Sequence, residues 1–128
     1  MMKTFQSLSE SEMEIMQVIW RSGTPMTTAA LLNLFAHKGW KVQTMSTFLT
    51  RLVEKGVLSV ERRGKSNLYS PLLSEREYHS QEARSLVDTM YHGSVVDFLA
   101  AFYGGEKLTA EEADSLRSWF DKEAKRHD

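Results

Sequence analysis

A mostly α-helical chain carrying one small β-hairpin is what this sequence predicts, on three observations. Apolar residues recur at i, i+3, i+4 and i+7 through most of its 128 residues, the period of half-buried helices. Four hydroxyl residues that stand just ahead of such an apolar run are followed three positions later by an acid: Ser9 and Glu12, Ser74 and Glu77, Ser94 and Asp97, Thr109 and Glu112. This is the pattern of a capping box at a helix start. Only the stretch around Gly64 alternates as strands do, with VLSVER before it and NLYSPL after it.

The first helix opens at Ser9 with Leu8 and Met13 in the positions of a hydrophobic staple, and buries Met13, Met16, Ile19 and Trp20 until Gly23, Thr24 and Pro25 stop it. Trp20 reads as a core anchor. Thr27 is the N-cap of a second helix running to about Lys38, with Leu31, Leu32, Leu34 and Phe35 apolar and Gly39 at its end. A tight turn near 39–42 leads into a central helix over about 43–55. There Met45, Phe48, Leu49, Leu52 and Val53 form the buried stripe, and Gly56 closes it. Two helices joined by a short glycine-containing turn make a helix-turn-helix.

The hairpin over 57–72 turns at Arg63, Gly64, Lys65 and Ser66, so its tip at 62–65 is basic through Arg62, Arg63 and Lys65. Two strands are not stable alone and must lean on the helices. Three helices with such a hairpin form a winged helix-turn-helix, assigned to residues 1–73. After Pro71 the pattern turns to three helices with acidic surfaces, residues 74–128. Their apolar positions include Leu86, Met90, Val95, Phe98, Leu99, Phe102, Leu116, Trp119 and Phe120. So many large apolar residues in a segment short for a domain are expected to pair with a second copy, making a helical dimerisation region.

The outer face of the central helix points to a partner. Gln43, Thr44, Ser46, Thr47, Thr50 and Arg51 offer an amide, hydroxyls and a guanidinium, with no carboxylate before Glu54. Such groups can approach phosphates and base edges, where an acid would repel the backbone. Taken alone, the face and the hairpin tip also suit ordinary solvated surface. Charge favours the first reading. The formal net charge is −1, but residues 41–73 hold six Lys and Arg against two Asp and Glu, while 74–128 hold seven against twelve. A positive middle beside an acidic tail fits a nucleic-acid footprint on one part of the chain.

Other chemistries are poorly represented. With no cysteine there is no disulfide, thiolate metal site or thiol switch. The histidines His37, His79, His92 and His127 show no ligand pair, so no metal is expected. No glycine-rich phosphate loop, nucleophile elbow, HExxH or convergent acid pair stands in the sequence, so neither an enzyme nor a cofactor is expected. No apolar run reaches the roughly 20 residues of a membrane span. The opening MMKTFQSLSESE lacks the form of a secretory signal. No membrane insertion and a cytoplasmic location are therefore the expectation.

These residues bring a known family into view. Leu8-Ser9 followed by Met16 and Ile19-Trp20, Trp40 before the central helix, the run from Thr44 to Leu52 with Lys55-Gly56, and Tyr69-Ser70-Pro71 closing the wing resemble the BlaI/MecI/CopY family of bacterial penicillinase repressors. The resemblance extends from Leu8 to about Lys122. It implies a homodimeric repressor, associated with antibiotic resistance, that binds a palindromic double-stranded DNA operator and dimerises through its carboxy-terminal helices. Thr44, Thr47 and Arg51 fall on family operator-contact positions, whereas Gln43 and Ser46 stand where the penicillinase repressors have basic residues. The resemblance also implies relief of repression by a membrane sensor-protease pathway that cuts before a phenylalanine. The matching bond is Ala101–Phe102, where the family has asparagine in place of Ala101; both residues equally suit a helix core. The paired cysteines of the copper-responsive branch are missing. Two other functions stay open: a regulator released by a small effector bound among the carboxy-terminal helices, and a winged helix used for protein docking only.

Overall fold

The computed structural model describes residues 5–126. Helices dominate, with one small antiparallel sheet. The chain forms two compact units whose boundary falls between Ser85 and Leu86. That boundary lies part-way along a helix rather than at the change of composition after residue 73, because Tyr78, in that helix, belongs to the first core.

Helix α1 (Glu10–Ser22) starts as its sequence dictates. The Ser9 amide donates to Glu12 Oε1 at 2.8 Å and the Glu12 amide to Ser9 Oγ at 3.2 Å. Gly23 ends it at φ 71°, a left-handed conformation that costs glycine little. Strand β1 (Met26–Thr27) is only two residues long, and Thr27 also caps α2 (Thr28–Leu34) by accepting from the Ala30 amide at 3.1 Å.

The single second helix expected to about Lys38 is instead broken. After Leu34, Phe35 leaves helical geometry and a 3₁₀ turn, Ala36–Lys38, carries the chain to Gly39. Phe35 is buried and stacks on Trp40 with ring centroids 5.2 Å apart, so aromatic packing sets the bend between the two helices. Helix α3 (Val42–Glu54) follows and buries Met45, Leu49 and Leu52 completely, with Phe48 and Val53 at the edge of the core.

Strands β2 (Leu58–Arg63) and β3 (Ser66–Pro71) form the hairpin, and β1 pairs with β3 on its other side, giving the order β1-β3-β2. The sheet thus has three strands where two were expected. Arg63 pairs with Ser66, so the turn is two residues, Gly64 and Lys65, and Arg63 ends a strand instead of sitting in the loop. Gly64 has φ 59° at the first central position, the requirement of a type II′ hairpin turn.

Helix α4 (Glu75–Met90) opens with the expected Ser74–Glu77 box and ends short of His92, which has φ 51°. Tyr78 is fully buried; its hydroxyl accepts from the Leu8 amide at 3.0 Å, and its ring lies 6.0 Å from Trp20. Trp20 in turn donates through Nε1 to the Leu73 carbonyl at 2.9 Å. The core of this unit is formed by Ile15, Met16, Ile19, Leu31, Phe35, Met45, Leu49, Leu52, Val57, Leu58, Tyr69 and Tyr78.

The second unit holds the end of α4, helix α5 (Val95–Tyr103) and helix α6 (Ala110–Arg126). Thr109 and Glu112 exchange hydrogen bonds as a capping box does, whereas the Ser94 pair is one-sided: the Asp97 amide donates to Ser94 Oγ at 3.1 Å, but the Ser94 amide donates to the Tyr91 carbonyl at 2.8 Å. Its packing differs from the first unit's, because no residue of α5 or α6 is fully buried.

Candidate nucleic-acid interface

The candidate surface is assembled wholly within the first unit, from α3 and the hairpin. The stripe Met45–Leu49–Leu52 turns inward, and the helical period then turns Gln43, Ser46, Thr47, Thr50 and Arg51 outward. These five and Glu54 line one shallow groove along α3. Thr44, named with them from the sequence, is only half-exposed. Thr47 Oγ1 donates to the Gln43 carbonyl at 2.9 Å, which leaves its methyl and an oxygen lone pair on the exposed side.

A second cleft, of about 380 Å³, lies between α3 and the hairpin and is lined by Val42 and Ser46 from α3, Arg62, Lys65, Ser66 and Asn67 from the hairpin, and Thr27, Thr28, Ala29 and Leu32 from β1 and α2. Ser46 lines both hollows and therefore joins the helix face to the wing. Sequence reasoning did not single out Val42, Thr28, Ser66 or Asn67. Their place here depends on β1 bringing the α2 start against β3, and a two-residue strand leaves no readable period.

The basic tip is less uniformly available than its composition suggests. Arg63 Nε is within 3.2 Å of Glu61 Oε1, an exposed pair worth little in stability but able to offset the charge locally. Arg62 Nε donates to the Gly64 carbonyl at 3.0 Å and so braces the turn it flanks. Lys65 is exposed beside them.

The tilt of α3 is fixed at its carboxy-terminal end by a half-hidden ion pair. Lys55 Nζ lies 2.6 Å from Glu12 Oε1 and also donates to the Ser7 carbonyl at 2.9 Å. Burial raises the pKa of Glu12, but hydrogen bonds from Lys55 and Ser9 and the ammonium charge outweigh it, so the carboxyl is held below its ordinary value. The pair joins the start of α1 to the end of α3.

Among the described residues no group of three or more His, Asp and Glu could hold a metal ion. His79 lies between Glu75 and Glu82, both on its own helix; His37 and His92 are exposed, and His127 is outside the described residues. No described helix is long and apolar enough to cross a membrane.

The residues expected to dimerise all lie in the second unit. Leu86, Met90, Val95, Phe102, Trp119 and Phe120 are exposed, Phe102 by 69% and Trp119 by 56%, while Phe98, Leu99 and Leu116 are half-buried. Tyr91, Phe98 and Phe102 form a run of ring contacts at 5.6 and 6.1 Å. The Ala101–Phe102 bond lies inside α5, near its end, and both side chains are exposed.

Comparison with known proteins decides the family. The family model described as "Penicillinase repressor" matches residues 8–122. The chain belongs to the penicillinase repressor family. That is a family of transcriptional repressors rather than enzymes. The penicillinase repressor of Bacillus licheniformis is 29% identical over 115 residues, covering 90% of each chain. The methicillin resistance regulatory protein MecI of Staphylococcus aureus strain N315 is 25% identical over 120 residues, covering 94% of this chain and 97% of its own. Among solved structures, the DNA-binding domain of the repressor BlaI matches with a TM-score of 0.52 at 31% identity, covering 60% of this chain and 94% of that one.

Proposed function

We infer that the chain is a homodimeric transcriptional repressor that binds a palindromic duplex operator. In this reading α3 enters the major groove, with Gln43, Thr44, Ser46, Thr47, Thr50 and Arg51 facing base edges and phosphates. The wing, through Arg62, Arg63 and Lys65, presses on the neighbouring backbone. One observation carries it: the exposed face of α3 has no carboxylate before Glu54, and Ser46 runs that face into the cleft that holds Arg62 and Lys65. The similarity of residues in this region to a domain whose solved structure is described as DNA-binding supports the same reading.

Dimerisation by the second unit follows from its uncovered apolar surface. Side chains as large as Phe102, Trp119 and Phe120 are costly to leave in water, at roughly 25 cal/mol per Å². A second copy of the chain covers them symmetrically. It also holds two reading heads together, so that weak single contacts gain by effective concentration. Release through cleavage at Ala101–Phe102 would act on this coupling and leave α3 untouched. Because the bond is helical, cutting it requires local unfolding of α5, which its lack of fully buried residues makes inexpensive.

The test is duplex binding by the intact protein as salt is varied. A selected duplex should be bound with log K falling linearly against log salt, by about 0.9 for each phosphate neutralised. Binding with no dependence on salt, or none at all, would leave the wing and helix as a protein-docking surface.

A further inference from the structure

Val42 is the first residue of α3 and is 57% exposed, although its side chain is branched and wholly apolar. It is absent from the core cluster and from the apolar residues packed against that core. Ser46, one turn further on, shares its helix face, and both line the cleft that contains Arg62 and Lys65. Ser46 also lines the groove with Gln43, Thr47 and Thr50. Val42 therefore adjoins the reading face, at the end of the helix that reaches base edges when a helix-turn-helix docks.

Its chemistry narrows what it can touch there. Valine has no donor, acceptor or charge, so it contributes nothing to a phosphate or to the polar edges of adenine, guanine and cytosine. The major groove offers one apolar group, the C5-methyl of thymine. Resting on the duplex-binding reading above, we propose that Val42 is a specificity-determining residue that packs on a thymine methyl in each half-site of the operator. Covering one such group is worth about 0.8 kcal/mol, or about fourfold in affinity.

The experiment uses the intact protein and a tightly bound duplex obtained by selection. Each thymine is replaced in turn by deoxyuridine, which deletes the methyl and preserves pairing. One thymine per half-site should weaken wild-type binding about fourfold when replaced. In Val42→Ala the same replacement should have no effect, while Val42→Ile should keep the penalty. Alanine at an exposed helical position is a better helix former than valine, so the variant retains its fold, and an unchanged melting temperature verifies this. Uracil tolerated at every position by wild type overturns the proposal. So does a penalty of equal size in Val42→Ala, which would assign the methyl to another side chain such as Thr47. Absence of salt-dependent binding to any duplex would instead remove the repressor reading, and this proposal with it.

Discussion

The two units of this chain treat apolar surface in opposite ways. In the first, Ile15, Met16, Leu31, Met45, Leu49 and Leu52 are wholly inaccessible, and the polar groups among them are paired. In the second, α5 and α6 bury nothing completely, and Met90, Val96, Phe102 and Trp119 are more than half exposed. Both units contain helices with side-chain caps at their starts, so local propensity does not explain the contrast. A segment with good helix starts and no fully buried residue leaves large apolar side chains uncovered. The first unit has the interior to hold its shape alone; the second, in the reading proposed above, is suited to joining copies.

The largest effect is expected where this contrast is broken outright. Phe102→Asp puts a charge on the surface assigned to the second copy. Sedimentation should show a monomer, and affinity for a two-half-site duplex should fall ~10²–10⁴-fold, the gain that linkage confers. Association and affinity unchanged by that substitution would relocate the dimer surface.

The next effect falls on the first unit. Lys55→Met leaves the inaccessible carboxylate of Glu12 without its cation and should cost about 3 kcal/mol, read as a lower urea midpoint. The sign with pH follows from the same pair. The native pKa of Glu12 lies below its ordinary value of 4.5. Its contribution is therefore fully present above that value and lost as pH falls through the native pKa. Lys55→Met should make the acid-side loss smaller, which a series of melts between about pH 3 and pH 7 would register.

Arg51→Ala should lower operator affinity by about 1–3 kcal/mol at one position of each half-site if the guanidinium reads a base; a uniform loss over all sequences would assign it to a phosphate. Smallest is Gly64→Ala. Nothing stands within 4 Å of the added Cβ, so the cost is backbone strain alone, at least about 1 kcal/mol for a non-glycine residue at the first central position of a type II′ turn. The hairpin should loosen while dimerisation is unaffected, keeping the two units' roles separate.

Much of this was legible in the sequence, and for local reasons. The helix-start pairs each involve two residues three apart, three of them forming full capping boxes, and the stripe of α3 has a strict period, so both survive without knowledge of the rest of the fold. The features that local pattern does not encode are tertiary. The break at Phe35 comes from a ring stacked on Trp40, which no periodicity records. Strand β1 is too short to alternate, and without it the cleft beside Val42 could not be placed. By sequence Arg63 belongs to a four-residue basic tip, but register makes it a strand residue facing Ser66 and bonded to Glu61. The exposure of Phe102 and Trp119 could not be read from spacing, since the same period suits a filled interior.

Thr27 has a consequence for engineering. Its hydroxyl caps α2 while its backbone pairs with Leu68 of β3, so a single residue fastens the helical pair to the wing. Wings exchanged between relatives will keep their aim only when this splice travels with them. Altering outward side chains of α3, by contrast, retunes sequence preference without disturbing the chassis.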